Sequence, residues 1–285
     1  MQPIQNNVTE SFLKNLDQSL KKPLDSSEKD FLRHYFRRLS AQDYDNTRTL
    51  EYYEIALKHR ELATIRKPNE IIIESFNKKI EEVSNRNTEY TLFLLVVDDL
   101  PFLVNSLLMK LNSLHKTPER FLHPIFTVER NSNNEALSFI ECFLVQNQDS
   151  PNNEAYIQCA FEYTPEDEHQ SIKDSLLDVI VQIRTSVDDW LEIHEKVKNL
   201  IDKLHKKDLD SELSEQIHFL NWIQQENFVY LGYCEVELDT RKHSNQPMLV
   251  KSSLLGNLKT IERKENNLID TALPPISYPN PRRVV

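Results

Sequence analysis

The sequence predicts an α+β fold, a small sheet flanked by amphipathic helices, and three observations carry that prediction. Thr91–Val97 (TLFLLVV) is an apolar run of buried-strand length that stops at Asp98 and Asp99. A segment opened by Pro101 follows, with Leu103, Leu107, Leu111 and Leu114 on one helical stripe and Val104 and Leu108 beside it. Three further strand-like runs, Phe121–Glu129, Leu137–Val145 and Ala155–Tyr163, are separated by NSNN (131–134) and NQDSPNN (147–153), which read as hairpin connections. The predicted order is strand, helix, three strands, helix. Strands are expected at about 91–97, 121–129, 137–146 and 154–163, with the helix from about 101 to 114 and the start of the helix after 170 on one face.

Ahead of this region lie helical patterns. Residues 8–21 place Phe12, Leu13, Leu16 and Leu20 on one face, and Pro23 ends that segment. Asp25 with Glu28 has the spacing of a capping box for a helix running to about Leu39, with Phe31, Leu32, Tyr35, Phe36 and Leu39 inward. A third helix is predicted over about 46–66, with Leu50, Tyr53, Leu57, Leu62 and Ile65 as its stripe and Pro68 just beyond. Ile71–Ile73 is a short β-branched run, and the polar Lys78–Tyr90 reads as a loop or short helix.

Beyond Gln170, apolar residues recur at Ile172, Leu176, Val179, Ile183, Val187, Trp190, Ile193, Val197, Leu200 and Leu204, close to a coiled-coil seam. Unbroken to Lys206, this would be a helix of roughly 55 Å at 1.5 Å per residue; the alternative is two helices with a kink near Asp188–Trp190. Ser211 with Glu215 opens another helix through Glu226, Phe228–Leu238 reads as a strand, and PPISYPNPRR near the end as an extended or disordered tail. The expected organisation is an N-terminal helical segment (1–68), an α/β domain (69–186), a helical arm or hairpin (187–226), and the start of a further strand module with a proline-rich tail (227–285).

Composition narrows the function. The 285 residues include 28% charged side chains and carry a net charge of −11. Non-specific attraction to nucleic acid or an anionic membrane is therefore disfavoured, and neither is expected as a partner. Only two glycines occur, Gly232 and Gly256. Dinucleotide and P-loop folds need clustered glycines so that the backbone can approach a pyrophosphate, so no nucleotide cofactor is expected on this chain. Cys142, Cys159 and Cys234 are odd in number and make no Cys-x-x-Cys pair, which points to reduced thiols in a cytoplasmic protein and to no metal site. The longest apolar run, Leu92–Val97, is too short to span a bilayer.

Several words of the sequence are shared with a known family. DDLPFLVNS (98–106), HPIFTVER (123–130), EAYIQCAFEY (154–163), VDDW (187–190) and FVYLGYCEVEL (228–238) occur in family order over about residues 45–240. In them the chain resembles the N-terminal region of the large-type NAD-specific glutamate dehydrogenases of bacteria. The resemblance implies a ferredoxin-like ACT-type βαββαβ regulatory module, with the catalytic core and its NAD site in a later part of the parent polypeptide. It implies as partners the rest of the parent dehydrogenase, further copies in a homo-oligomer, and an amino-acid effector. The alternative function is a structural interaction module without a small ligand.

No catalytic residue is assigned. Candidate effector-binding residues are Asp98, Asp99, Asn105 and His123. Asp98 and Asp99 suit an ammonium group, or equally a cap for the following helix. His123 precedes Pro124, which biases its backbone to extended conformations and equally suits a packing role. Phe102 stands where amino-acid-binding ACT modules often have glycine, and Asn105 where the family tends to have an acid. Trp190 and Trp222 read as packing residues on helical stripes.

Overall fold

The computed structural model describes residues 5–41, 44–81, 87–141, 152–206, 211–238 and 247–259. Two compact units, Met1–Val179 and Ile180–Val285, make up the chain.

The first unit opens with α1 (Gln5–Ser19), α2 (Ser26–Tyr35) and α3 (Thr49–Leu62), the last preceded by a tight 3-10 turn at Asn46–Arg48. The capping box is present: Asp25 accepts from the Glu28 backbone N–H at 2.8 Å, and Glu28 reaches back to the Asp25 N–H at 3.3 Å. On α3 the apolar stripe read from sequence is out of phase. Leu50 and Ile65 are exposed, whereas Tyr52, Ile55, Ala56 and His59 are buried. Two of those inward residues carry polar atoms that only a tertiary partner can satisfy, so hydrophobicity alone selects the wrong side.

A sheet follows: β1 (Ile72–Glu81), β2 (Asn87–Asp98), β3 (Arg120–Leu122), β4 (Ile125–Arg130), β5 (Ala136–Glu141) and β6 (Asn153–Glu162), with α4 (Leu103–Ser113) between β2 and β3. Its order is β1-β2-β6-β4-β5, with β3 also on β6, and every pairing is antiparallel. The mixed α+β architecture is consistent with a ferredoxin-like ACT module. The edge beside β2 is filled by β1, which precedes the βα unit in the chain. Lys78–Tyr90 is thus no loop or short helix where it is described. Lys78–Glu81 and Asn87–Tyr90 continue a ten-pair hairpin ladder from Ile72↔Val96 to Glu81↔Asn87. Backbone pairing overrides the polar side chains, which an edge strand tolerates. The run predicted over 121–129 is broken at His123–Pro124, because proline has no N–H for a ladder. Asn131 shapes the β4–β5 turn by accepting from the backbone N–H groups of Asn133 and Glu135. The strand predicted over 137–146 is described to Glu141; Cys142 and most of the 147–153 connection lie outside the described residues.

The sheet is buried on both faces, and Leu92 to Val97 are each 0% exposed. One face packs on α1–α3. Phe31 of α2 stacks on Phe126 of β4 at 5.1 Å and 12°, within a cluster that includes Phe12, Phe36, Tyr52 and Tyr156. Each such aromatic pair contributes about 0.5–1.5 kcal/mol beyond area burial. On the other face Phe93 meets His169 of α5 (Glu166–Asp188) at 5.6 Å.

The second unit contains the end of α5, α6 (Trp190–His205), α7 (Ser211–Trp222) with a π-helical turn to Asn227, and the hairpin β7 (Gly232–Leu238) and β8 (Pro247–Gly256). The seam beyond 170 is two helices with the break at Asp189. Along it Ile180 and Ile201 are buried where the seam read from sequence has Val179 and Leu200, since 3.6-residue turns drift from a seam of threes and fours. The strand expected from Phe228 begins only at Gly232, and β8 has no counterpart in the sequence reading. Gly232 and Gly256 face each other across the hairpin. Gly256 has φ +61, and a Cβ there would meet the Leu231 carbonyl oxygen at 2.4 Å, so only glycine fits. Asp189 of the VDDW word accepts from the Gly256 N–H at 2.6 Å and pairs with Lys259 at 2.7 Å. Both glycines of the chain are therefore spent on one structural pair. The proline-rich tail lies outside the described residues.

Candidate functional site

The β2 end, where the sequence places Asp98 and Asp99, is a buried charge clamp. Register sets Asp98 directly opposite Glu154 of β6, an arrangement that would be repulsive without a cation. Arg66, in the connection from α3 to β1, supplies it. Its Nη2 reaches Asp98 Oδ1 at 2.6 Å, its Nη1 reaches Glu154 Oε1 at 3.1 Å, and its Nε donates to the Glu70 carbonyl at 2.8 Å. Glu154 holds a second guanidinium, that of Arg130 on β4, through Nε at 2.8 Å and Nη2 at 2.9 Å. Arg130 also donates to the carbonyls of Asn134 and Ala63. The clamp joins four segments of the chain, and the Arg66 and Glu154 side chains are 3% and 5% exposed.

This arrangement commits Asp98 Oδ1 to Arg66. Asp99 anchors the turn with its backbone N–H on the Asn153 carbonyl at 2.9 Å, and burial raises its carboxyl pKa above the ordinary aspartate value. Neither aspartate caps α4. The N-cap is Phe102, which makes no side-chain cap bond, and Pro101 lies outside the helix. Phe102 has φ +64 and ψ 0, the left-handed region that glycine adopts freely. The substitution noted from sequence therefore falls on a position whose backbone favours glycine. Phe102→Gly is expected to be more stable than Phe102→Ala by about 1 kcal/mol, the reverse of their order inside a helix. Urea unfolding of the two variants measures this, and an alanine variant at least as stable would contradict it.

Asn105 is exposed on the first turn of α4. His123 sits apart from all three, in a crevice lined by His34, Tyr35, Arg37, Arg38, Leu122, Pro124 and Ile125. Burial, with the charge of Arg38, lowers its pKa to about 4, so the ring is neutral at pH 7. The structure thus brings Asp98 and Asp99 together at one strand end, and neither they nor Asn105 line the His123 crevice. Sequence patterning does not single out Arg66, Arg130 and Glu154. A signal existed: Asp98, Arg130 and Glu154 each stand at the edge of a shared word, DDLPFLVNS, HPIFTVER and EAYIQCAFEY.

Of the cysteines, Cys159 is buried and Cys234 half-buried, both free thiols whose pKa values are raised by burial. No helix among the described residues is long and apolar enough to cross a membrane.

Residues 31–176, from α2 through the whole sheet into α5, match the family model described as glutamate dehydrogenase, ACT1 domain. The chain belongs to this ACT1 domain family. The ACT1 span contains the complete charge clamp and all four sequence candidates. Curated relatives extend the similarity. The NAD-specific glutamate dehydrogenase of Halomonas elongata is 25% identical over 271 residues, covering 92% of this chain and 17% of the relative. That of Pseudomonas aeruginosa is 24% identical over 200 residues, covering 65% of this chain and 12% of the relative. The ACT1 chain thus spans less than a fifth of the length of these relatives.

Proposed function

We propose that this chain is the non-catalytic, N-terminal regulatory and assembly region of a large cytoplasmic NAD-dependent glutamate dehydrogenase. The observation that carries the reading is the ACT1 match, set in a chain that aligns over 92% of its length with 17% of such an enzyme. The parent reaction would be oxidative deamination of L-glutamate to 2-oxoglutarate, with NAD bound outside these 285 residues. The glycine usage supports this, because Gly232 and Gly256 are both consumed in the β7–β8 pair and leave no glycine for a pyrophosphate-binding turn. Self-association is part of this reading, and the open sheet supports it, its edge strands among the described residues being β1 and β5. Light scattering should give a mass above that of the monomer, and a monomer at all concentrations would count against it for the isolated chain.

A purely structural interaction module is the second reading. The aromatic group Phe219, Trp222 and Phe228 favours it, being 57%, 45% and 58% exposed with ring centroids 5.5–6.1 Å apart. Two measurements test the first reading. The isolated chain should form no NADH from glutamate and NAD, and turnover would overturn the proposal. A parent enzyme lacking the segment equivalent to residues 1–240 should change in assembly, substrate affinity or effector response; if all three are unaltered, the regulatory role fails.

A further inference from the structure

One exposed face of the second unit is aromatic. Phe219 and Trp222 stand about one turn apart on α7, and the π-helical turn at Ile223–Asn227 carries the chain on to Phe228. Trp222 stacks on Phe219 at 6.1 Å and 23°, and meets Phe228 edge-on at 5.5 Å and 65°. All three rings are exposed, and Val229 and Leu231 extend the apolar surface. A contiguous exposed apolar patch of this kind marks a docking surface. Glu215, also exposed, lies four residues before Phe219 and so on the same side of α7.

The chain carries a segment of matching chemistry. Residues 274–281 read PPISYPNP, followed by Arg282 and Arg283. Pro274, Pro275, Pro279 and Pro281 each restrict the backbone toward the polyproline II conformation. A segment so restricted gives up little entropy when it docks on aromatic rings, which is how proline-rich peptides are recognised. Three residues make one turn of that helix. Pro275, Tyr278 and Pro281 therefore share a face, at intervals of about 9.3 Å. The row of three rings, with centroids 6.1 and 5.5 Å apart, is comparable in length to one such turn, so two of these side chains fit over it.

The attachment point is on the same unit. The Asn257 N–H bonds the Leu231 carbonyl at 2.7 Å, and Lys259 pairs with Asp189 at 2.7 Å. The chain is thus held beside Leu231, three positions from Phe228, before residues 260–273 lead to Pro274. That connection reaches at most about 50 Å. A tether this short keeps the segment at a local concentration on the order of millimolar, so weak stacking is enough to seat it.

We propose that the proline-rich segment 274–281 seats on the aromatic face of Phe219, Trp222 and Phe228 as an intramolecular cover. Tyr278 lies on the Trp222 ring, and Arg282 and Arg283 point toward Glu215, which sets the direction of the segment. The inference does not depend on the dehydrogenase reading. Under the alternative reading, the cover competes with an outside partner for the same rings.

The test uses the full 285-residue chain carrying Trp190→Phe, which leaves Trp222 as its one tryptophan. Acrylamide quenching of that fluorescence is compared with the same chain carrying Pro275→Ser, Tyr278→Ser and Pro281→Ser in addition. Quenching should be about twofold stronger in the latter, and a synthetic peptide of residues 271–283 at several millimolar should restore the protection. In parallel, p-benzoylphenylalanine placed at position 278 should photo-cross-link within one chain to the stretch that holds residues 219–228. Equal quenching in the two chains overturns the proposal, as does a peptide that restores nothing. Cross-links elsewhere on the chain overturn it too, and decide the matter should the serine variant not fold. Cross-links between chains, or protection that is lost on dilution, would assign the face to a second copy and overturn the intramolecular cover.

Discussion

Glu154→Gln is expected to destabilise the first unit by about 3–5 kcal/mol, the cost of removing one member of a buried ion cluster and leaving its partners charged. Among the described residues Glu154 is the carboxylate that bonds both Arg66 and Arg130, and in the variant Arg66 keeps Asp98 while Arg130 loses its ion pair. The Arg66, Glu154 and Arg130 side chains are 3%, 5% and 14% exposed, so water cannot replace the lost partner. A control lies on the surface, where Arg33 pairs with Glu10 at 2.9 Å with both side chains 43% or more exposed. Glu10→Gln should cost less than about 1 kcal/mol. Urea unfolding of both variants compares the two sites. A Glu154→Gln loss as small as that of Glu10→Gln would mean that the cluster contributes no net stability.

Stability should also fall by about 2 kcal/mol between pH 7 and pH 5 through His59 alone. His59 on α3 is fully buried. Its Nε2 lies 2.9 Å from the Leu95 carbonyl, which can only accept, so Nε2 carries the proton and Nδ1 accepts from the Tyr35 hydroxyl at 2.8 Å. Tyr156 packs on the ring at 5.1 Å, and the Tyr35 hydroxyl also lies 3.1 Å from Gln158 Oε1. Burial lowers the imidazole pKa from 6.5 to about 4. The folded state therefore stays neutral where the unfolded chain takes up a proton. The stabilising contribution is complete above the unfolded value and is lost as pH falls from 6.5 toward 4. His123, lowered to about 4 as well, acts in the same direction. His59→Gln therefore isolates the effect: its unfolding free energy should depend less on pH than that of the wild type, by about 2 kcal/mol over this interval. Parallel pH profiles would show that His59 is not held neutral in the fold.

Much of the fold was legible in the sequence because its signals are local. The buried run Thr91–Val97, the stripe Leu103, Leu107 and Leu111, and the capping box at Asp25 and Glu28 each rest on residues within a few positions of one another, whereas beyond Gln170 the sequence leaves one helix or two open. Spacing of that kind reports which face of an element is apolar, and it marks the buried side of α4, although along α5 and α6 Ile180 and Ile201 are buried where the spacing places Val179 and Leu200. The shared words resemble the ACT-bearing N-terminal region of the large glutamate dehydrogenases, and the ACT1 match agrees with them. On α3 apolar spacing misleads, because Tyr52 and His59 enter the core through partners on other elements. Lys78–Glu81 became strand because β2 lies alongside, a fact that the polar side chains of that stretch do not record.

The functional map divides along the same line. The sequence by itself determined the α+β class, the family, the lack of glycines for a pyrophosphate turn, and the places of Asp98, Asp99, Asn105 and His123. Tertiary structure alone decided what those residues do. Arg66 finds Asp98 and Glu154 across separations of 32 and 88 residues, while Arg120 packs its guanidinium beside rings contributed by α3 and β2. All of these are charged side chains of ordinary appearance in the sequence. Coulomb and hydrogen-bond energies fall off within a few ångströms, so a charge takes its role from what the fold brings to it.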